Sequence, residues 1–498
     1  MQYLSLLTPL LLAIYPVLHL FSVNIDKLLP SGLITPLCIA IGIGFGLSII
    51  SALLYQDFEK GCLLANLIFL LSIGIGPLFF RIENTLVGKY FLDEYRILWI
   101  TLEWIALLGF AWKLRPWTYS RQSNRVLTVI AVVLILFPAL ELCIYLTIHS
   151  GFATISLPSI SRHAHPHQTL PDIYYIILDG YGRKDVLQKQ YHYDNSAFVN
   201  YLHRKGFYIA DKSRSNYPYT FLSLASSLNM RYLDALNDSP DQEADGTQMI
   251  LHNQVIRLLK AEGYTIIHLN SGWVVTGIDQ PEADKNYSYK SLNEFSILIV
   301  KTSLLGLYYT DKAYAGTQRD VILYNLGKLR DIPPKTEPTF TFAHFVCPHP
   351  PFVFDRKGKL PKRDTRIRRL EADWLPAERY VDQLVYISSE IQKVIDHIIK
   401  QSDIPPIIIV QSDHGPACPG MVEHPSKDII WQRTTILNAY YVSNRIKQHL
   451  YPSISPVNSF RVILNDLFDY KLPLLPDKNY YAGPIGVLPY TFQDVTNL

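Results

Sequence analysis

Ile173-Tyr174-Tyr175-Ile176-Ile177-Leu178 runs straight into Asp179-Gly180-Tyr181-Gly182. Six apolar or aromatic residues stopped by an Asp-Gly pair read as a β-strand, and a run with no polar alternation suits a sheet covered on both faces. Similar runs follow at Thr265 to Leu269, Thr339 to Cys347 and Ile407 to Gln411. Helical patterns are expected over 194–205, 220–230, 248–262 and 377–401. Strands and helices that alternate in this way predict an α/β sheet domain.

Upstream of Ile173 the chain changes character. Five apolar stretches, about 3–22, 32–54, 61–80, 95–112 and 126–148, approach the roughly 20 residues a helix needs to cross a bilayer. The first lacks a basic leading region and a small-residue cleavage site, and four more follow it, so it is read as a retained span rather than a signal peptide. Lys113, Arg115, Arg121 and Arg125 crowd the fourth connection. Basic residues near helix ends prefer the cytoplasmic side, which sends everything after the fifth span to the opposite side. Residues 151–170 read as a linker, since Ser156 to Pro171 holds three His and three Pro. The expected organisation is therefore a five-helix transmembrane domain over 1–150, a linker over 151–170 and an extracytoplasmic domain over 171–498.

A formal net charge of +3 over 498 residues is too small for a nucleic-acid footprint. The short basic run Lys362 to Arg369 reads as a solvated loop face, with contact to anionic headgroups as the alternative. Cys38, Cys62 and Cys143 sit in apolar segments and read as small hydrophobes. Cys347 and Cys418 lie in the second half, where an oxidising exterior would permit a disulfide between them.

Ligands of open α/β sheets bind beyond the carboxyl ends of the strands. Asp179 ends one strand-like run, and Asp413-His414-Gly415 follows another within one residue. Singly, each acid reads as a turn cap. Together they offer hard oxygen and imidazole ligands suited to Zn²⁺ or Mn²⁺. Between them, Asn216-Tyr-Pro-Tyr-Thr220 precedes a helical pattern, so the Thr220 hydroxyl is either an N-cap or, beside a cation, a nucleophile favoured by the helix dipole. His344-Phe-Val-Cys-Pro-His349-Pro-Pro and Glu-His424-Pro add three histidines. These are candidates for a second metal or for holding and protonating a substrate.

The order Asp179, Thr220 within Asn-Tyr-x-x-Thr, Pro-His349-Pro-Pro, then Ser-Asp413-His414-Gly resembles the alkaline phosphatase/sulfatase superfamily. It is most similar to the membrane-anchored branch of lipoteichoic acid synthases and lipid A phosphoethanolamine transferases. The resemblance implies an α/β/α catalytic domain with a mostly parallel central sheet behind five transmembrane helices. It implies one or two divalent ions, Zn or Mn, with Asp179, Thr220, Asp413 and His414 as ligands and Thr220 as the attacking group. Asn216, His344, His349 and His424 then serve substrate binding or a second ion. The chain departs from the pattern in three places. Asp179 stands where the membrane-anchored transferases usually carry Glu. No Asp-x-x-x-His spacing lies between Thr220 and Asp413. Thr220-Phe-Leu-Ser-Leu replaces the Cys/Ser-x-Pro-x-Arg stretch that true sulfatases mature to formylglycine, which argues against sulfate-ester hydrolysis.

The expected activity is transfer of a phosphate-containing headgroup from a lipid donor to a cell-envelope acceptor through a phospho-threonine. The alternatives are phosphodiester or phosphomonoester hydrolysis at the same site, and a non-catalytic module that binds the envelope. The expected location is the inner (plasma) membrane, with the catalytic domain periplasmic or extracellular.

Overall fold

The computed structural model describes residues 2–25, 30–83, 94–149, 170–236, 242–273, 276–289, 294–309, 311–332, 337–361, 374–418, 421, 425–483 and 490–498. The chain divides into two compact units. His424 and the basic run 362–369 lie outside the described residues.

The first unit comprises Met1–Ser156 together with Leu292–Thr310. Its helices are α1 (Gln2–Val23), α2 (Ile34–Tyr55), α3 (Phe58–Glu83), α4 (Arg96–Leu114) and α5 (Ser120–His149). All five are long and apolar enough to cross a membrane. Helices that are apolar all round gain little from burying one face, so polar groups do much of the positioning inside such a bundle. Here Glu59 accepts from Ser5 Oγ at 2.6 Å and from Asn124 Nδ2 at 3.1 Å, and Asn66 donates to Asn124 at 3.0 Å. These contacts tie α1, α3 and α5 together near one end.

Leu292–Thr310 joins this unit although it lies between strands of the other. The helix Glu294–Lys301 puts Phe295 edge-on to Phe21 at 5.9 Å, in a small cluster with Val17 and Ile25. The Leu304 amide donates to Ser72 Oγ at 3.2 Å, and Arg96 Nη1 donates to the Leu307 carbonyl at 2.8 Å.

The second unit, Leu157–Ser291 with Asp311–Leu498, is an α/β domain. Seven strands form its sheet: β1 (Ile173–Leu178), β2 (Tyr208–Ile209), β3 (Thr265–Leu269), β4 (Lys285–Tyr287), β5 (Thr339–Phe345), β6 (Ile407–Gln411) and β7 (Asn438–Tyr441). Their order is β2-β7-β6-β1-β5-β3-β4. The five strands from β6 to β4 are mutually parallel, while β7 and β2 complete one edge in antiparallel pairing. Every residue of β1, β5 and β6 is buried. Burying each Ile or Phe there contributes roughly 1.5–3 kcal/mol, which is why the central strands need no polar alternation. On one face Tyr175 meets Phe460 of the helix Pro456–Phe468 edge-on at 5.0 Å and reaches Ser227 of the helix Thr220–Asn229. The long amphipathic helix Ala377–Gln401 packs against Asp311–Asp331 in a separate helical layer.

The helical pattern expected over 248–262 is two helices, Gln242–Leu251 and Gln254–Ala261. Asn253 separates them: its side chain accepts from the Ile256 amide at 2.9 Å, and such an N-cap starts a new helix rather than continuing the old one. No disulfide joins Cys347 and Cys418.

Candidate active site

β1 and β6 are parallel neighbours in register, Ile173 opposite Ile407 and Ile177 opposite Gln411. Asp179, one residue past β1, and Asp413, two residues past β6, therefore emerge side by side at the carboxyl edge of the sheet. Local backbone chemistry holds each in place. Gly180 adopts φ +72°, and a Cβ there would come within 2.5 Å of the Trp374 ring, so only glycine lets the chain turn under that indole. Its amide donates to Asp413 Oδ1 at 3.2 Å. On the β6 side, a Cβ on Gly415 would sit 2.0 Å from the Gln432 carbonyl.

Asp179 and Asp413 are fully buried, as are His344 and His414. His344 enters from β5, opposite Ile177, and its Nε2 lies 3.4 Å from Asp179 Oδ2. Its Nδ1 shares a 2.6 Å hydrogen bond with the Thr276 hydroxyl, which fixes the ring. His414 Nδ1 faces the Gly415 carbonyl at 3.0 Å and so carries the proton. The Nε2 lone pair is then turned towards Asp179 Oδ1 at 3.5 Å, Asp413 Oδ2 at 3.4 Å and Thr220 Oγ1 at 3.2 Å.

Thr220 is the first residue of its helix, after Tyr219 in extended conformation. It is therefore past the cap position, and its hydroxyl points at His414 rather than back to its own backbone. His349 lies at the rim: its Nδ1 donates to the Pro350 carbonyl at 2.6 Å, and its ring is 6.2 Å from His414 and 4.9 Å from Trp374. Asn216 is not in this cluster. Its amide donates to Ser455 Oγ at 3.0 Å and the Lys478 carbonyl at 2.8 Å and accepts from the Val457 amide, which commits it to the scaffold.

Both oxygens of Asp179, Oδ2 of Asp413 and Nε2 of His344 are buried without a hydrogen-bond partner among the described residues. Leaving ionised carboxylates in that condition costs several kcal/mol each. One ligand atom from each of Asp179, His344 and Asp413 lies within 4.8 Å of the others. Two carboxylates and imidazole nitrogens converging on one dry point fit a divalent ion of the Zn or Mn type.

The electrostatics follow from burial. Desolvation, and then the charge of Asp179, lift the Asp413 carboxyl from 3.8 to about 7. Desolvation also pulls Asp179 upward, but the charge of His349 and then the close approach of His344 Nε2 outweigh it and hold that group below the ordinary range. Burial, and then the nearby Arg433, keep His414 well below the usual imidazole value. A proton taken up by the carboxylate pair accordingly sits on Asp413, and His414 stays neutral, the form in which an imidazole can bind a cation.

Sequence reasoning did not single out Arg433. It is buried on the helix Lys427–Thr434, donates from Nε to the Pro218 carbonyl at 2.7 Å and from Nη1 to the Gly415 carbonyl at 2.9 Å, and lies 6.0 Å from the centre of the Tyr219 ring. One guanidinium thus joins the segment that presents Thr220 to the segment that presents His414. Trp374, over Gly180 and beside His349, is a second residue with no sequence signal of its own.

A family model described as Sulfatase matches residues 171–462. Among solved structures, the C-terminal periplasmic domain of EcEptC from Escherichia coli is similar at 13% identity and a TM-score of 0.46, over 69% of this chain and 98% of that one. The integral membrane lipooligosaccharide phosphoethanolamine transferase A (EptA) from Neisseria meningitidis is similar at 13% identity and a TM-score of 0.39, over 93% of this chain and 95% of that one. No curated protein matches the chain.

Proposed function

This chain belongs to the sulfatase family, and from that membership we propose that it is a membrane-anchored transferase that moves a phosphate-containing headgroup from a lipid donor to a cell-envelope acceptor. The observation that supports the reading best is the convergence of buried, unpartnered carboxylate oxygens of Asp179 and Asp413 with the Thr220 hydroxyl, 3.2 Å from His414 Nε2.

In this reading Asp179, Asp413, His414 and Thr220 hold a divalent ion, with His344 completing the set. When bound, the ion supplies Lewis acidity and favours the deprotonated form of a nearby hydroxyl. The chain's own residues do the rest. Thr220 Oγ1, at the positive end of its helix, forms the bond to phosphorus while its proton passes to solvent. The bond from phosphorus to the lipid oxygen breaks, and His349 Nε2 protonates the departing oxygen. His349 then takes the proton of an acceptor hydroxyl, whose oxygen attacks phosphorus; the bond from phosphorus to Thr220 Oγ1 breaks, and that oxygen takes a proton back from solvent. Trp273 and Trp374 stand beside His349 and limit the water that reaches it.

The domain plan belongs to the same proposal. Residues 1–150 span the inner (plasma) membrane, and the basic connection Lys113 to Arg125 stays cytoplasmic. The domain over 171–498, reached through the linker 151–170, works in the periplasm or outside the cell. Confinement at the membrane raises the rate of encounter with lipid substrates.

Hydrolysis is the second reading, in which water replaces the acceptor. It is favoured by Asp179, where the membrane-anchored transferases usually carry Glu. The test is to incubate purified full-length protein with a headgroup-labelled phospholipid and divalent metal. Label trapped on the wild type and absent from Thr220→Ala is the expected result, whereas equal labelling of the variant removes Thr220 from the mechanism. Product analysis with and without envelope lipids then separates transfer from hydrolysis.

A further inference from the structure

The helical unit contains a groove that none of the chemistry above uses. It lies among α3, α4 and α5 and has a volume of about 780 Å³, within the range of roughly 300–1,000 Å³ typical of ligand pockets. Leu63 and Leu67 of α3, Leu114 of α4 and Leu127 of α5 form its apolar walls, while Lys113 and Trp117 stand at its mouth. We propose that this groove holds an acyl chain of an anionic phospholipid whose phosphate rests on Lys113.

The occupant follows from the surroundings. The three helices are long and apolar enough to cross a membrane, so a groove between them opens onto hydrocarbon. Its mouth falls where α4 ends and α5 begins. There Trp117 and Tyr119 are exposed and in edge-to-face contact at 6.4 Å, the residue types and the position at which helices meet the headgroup layer. Lys113 is exposed and makes no ion pair among the described residues. Arg115, Arg121 and Arg125 follow within one short segment. Glu59, near the start of α3, is already engaged by Ser5, Asn124 and Arg121, the last at 3.6 Å, and Asp57 accepts from the Glu59 and Lys60 amides. An apolar slot ending in an unpaired cation at a basic, aromatic-flanked helix end matches the two parts of an anionic lipid, chain and headgroup. The site rests on the helical unit alone and not on the reading of the catalytic domain.

The test is native mass spectrometry of the full-length protein in detergent, titrated separately with phosphatidylglycerol and phosphatidylcholine. The wild type should retain one phosphatidylglycerol at a concentration at least tenfold below that needed for phosphatidylcholine. Lys113→Glu, a surface change that leaves the helices intact, should erase the preference, and Leu127→Trp, which fills the slot, should weaken retention of both lipids. Equal retention of the two lipids by the wild type, or an unchanged preference in Lys113→Glu, overturns the proposal. A doubled mass with no retained lipid overturns it too, because a second copy of the chain would then cover the groove.

Discussion

The Thr220 hydroxyl lies 3.2 Å from Nε2 of His414, although the two residues are 194 positions apart in the chain. The hydroxyl donates to the ring, because His414 Nδ1 already holds its proton against the Gly415 carbonyl. Thr220→Ala removes the oxygen without touching the carboxylates. It should retain divalent metal, with affinity reduced about tenfold, and lose transfer by at least about a thousandfold. Thr220→Ser should keep measurable turnover. Metal content by mass spectrometry together with single-turnover labelling checks this; turnover by Thr220→Ala at the wild-type rate would place the nucleophile elsewhere.

Arg433 positions both partners of that contact through backbone carbonyls. Lysine keeps the charge, but its single ammonium lacks the planar fork needed to serve the Pro218 and Gly415 carbonyls together. Arg433→Lys should therefore fold and bind metal yet turn over about 10–100-fold more slowly, with KM little changed. Arg433→Met removes the donor to the buried Pro218 carbonyl and leaves the Gly415 carbonyl to His414 Nδ1 alone, and should cost about 1–3 kcal/mol of stability, read as a lowered Tm.

The carboxylate pair makes the metal-free protein sensitive to pH. Asp413 is lifted to about 7 in the folded chain, against 3.8 for an ordinary aspartate. The folded state therefore binds this proton more tightly than the unfolded chain. The associated stability is fully present below about 3.8 and is lost as pH rises through about 7. Metal competes for the same oxygens, so its affinity should rise with pH, by at most about tenfold per unit, and level off above 7. Calorimetric metal titrations at several pH values, with Asp413→Asn as the control in which the slope disappears, test this.

How much of this was legible in the sequence follows from what each residue has to satisfy. β1, β3, β5 and β6 are buried on both faces, so hydrophobicity alone exposes them, and the helix Ala377–Gln401 shows its amphipathic stripe over seven turns. β2, β4 and β7 are short edge or near-edge strands that carry polar residues such as Lys285 and Asn438, and their pairing comes from the sheet rather than from pattern. Asp179, Asp413 and His414 attract notice because polar residues closing apolar strands are conspicuous. Arg433 sits in an eight-residue helix that looks like any solvated segment, and its two acceptors are backbone atoms, which no side-chain motif encodes. Asn216 misleads for the opposite reason, since an amide saturated by scaffold bonds looks in sequence like one that awaits a substrate.

The excursion Leu292–Thr310 is the other feature that sequence concealed, because Phe295-Ser-Ile-Leu-Ile-Val300 is too short to span a membrane and reads as one more core helix. In the structure it packs among α1, α3 and α4 through Phe295, Ser72 and Arg96. The chain therefore returns to the helical unit more than a hundred residues after leaving it. If the linker over 151–170 were the sole attachment, cutting it would release the second unit into solution. A second attachment predicts otherwise. With a specific protease site placed in the linker, cleavage should leave the fragment that begins after the cut in the membrane pellet after a high-salt wash. Phe295→Asp, which sets a charge against Val17 and Phe21, should then release most of that fragment on cleavage while leaving the uncut protein in the membrane through α1 to α5. Release of the wild-type fragment by cleavage alone would mean that 292–310 gives no hold on the bundle.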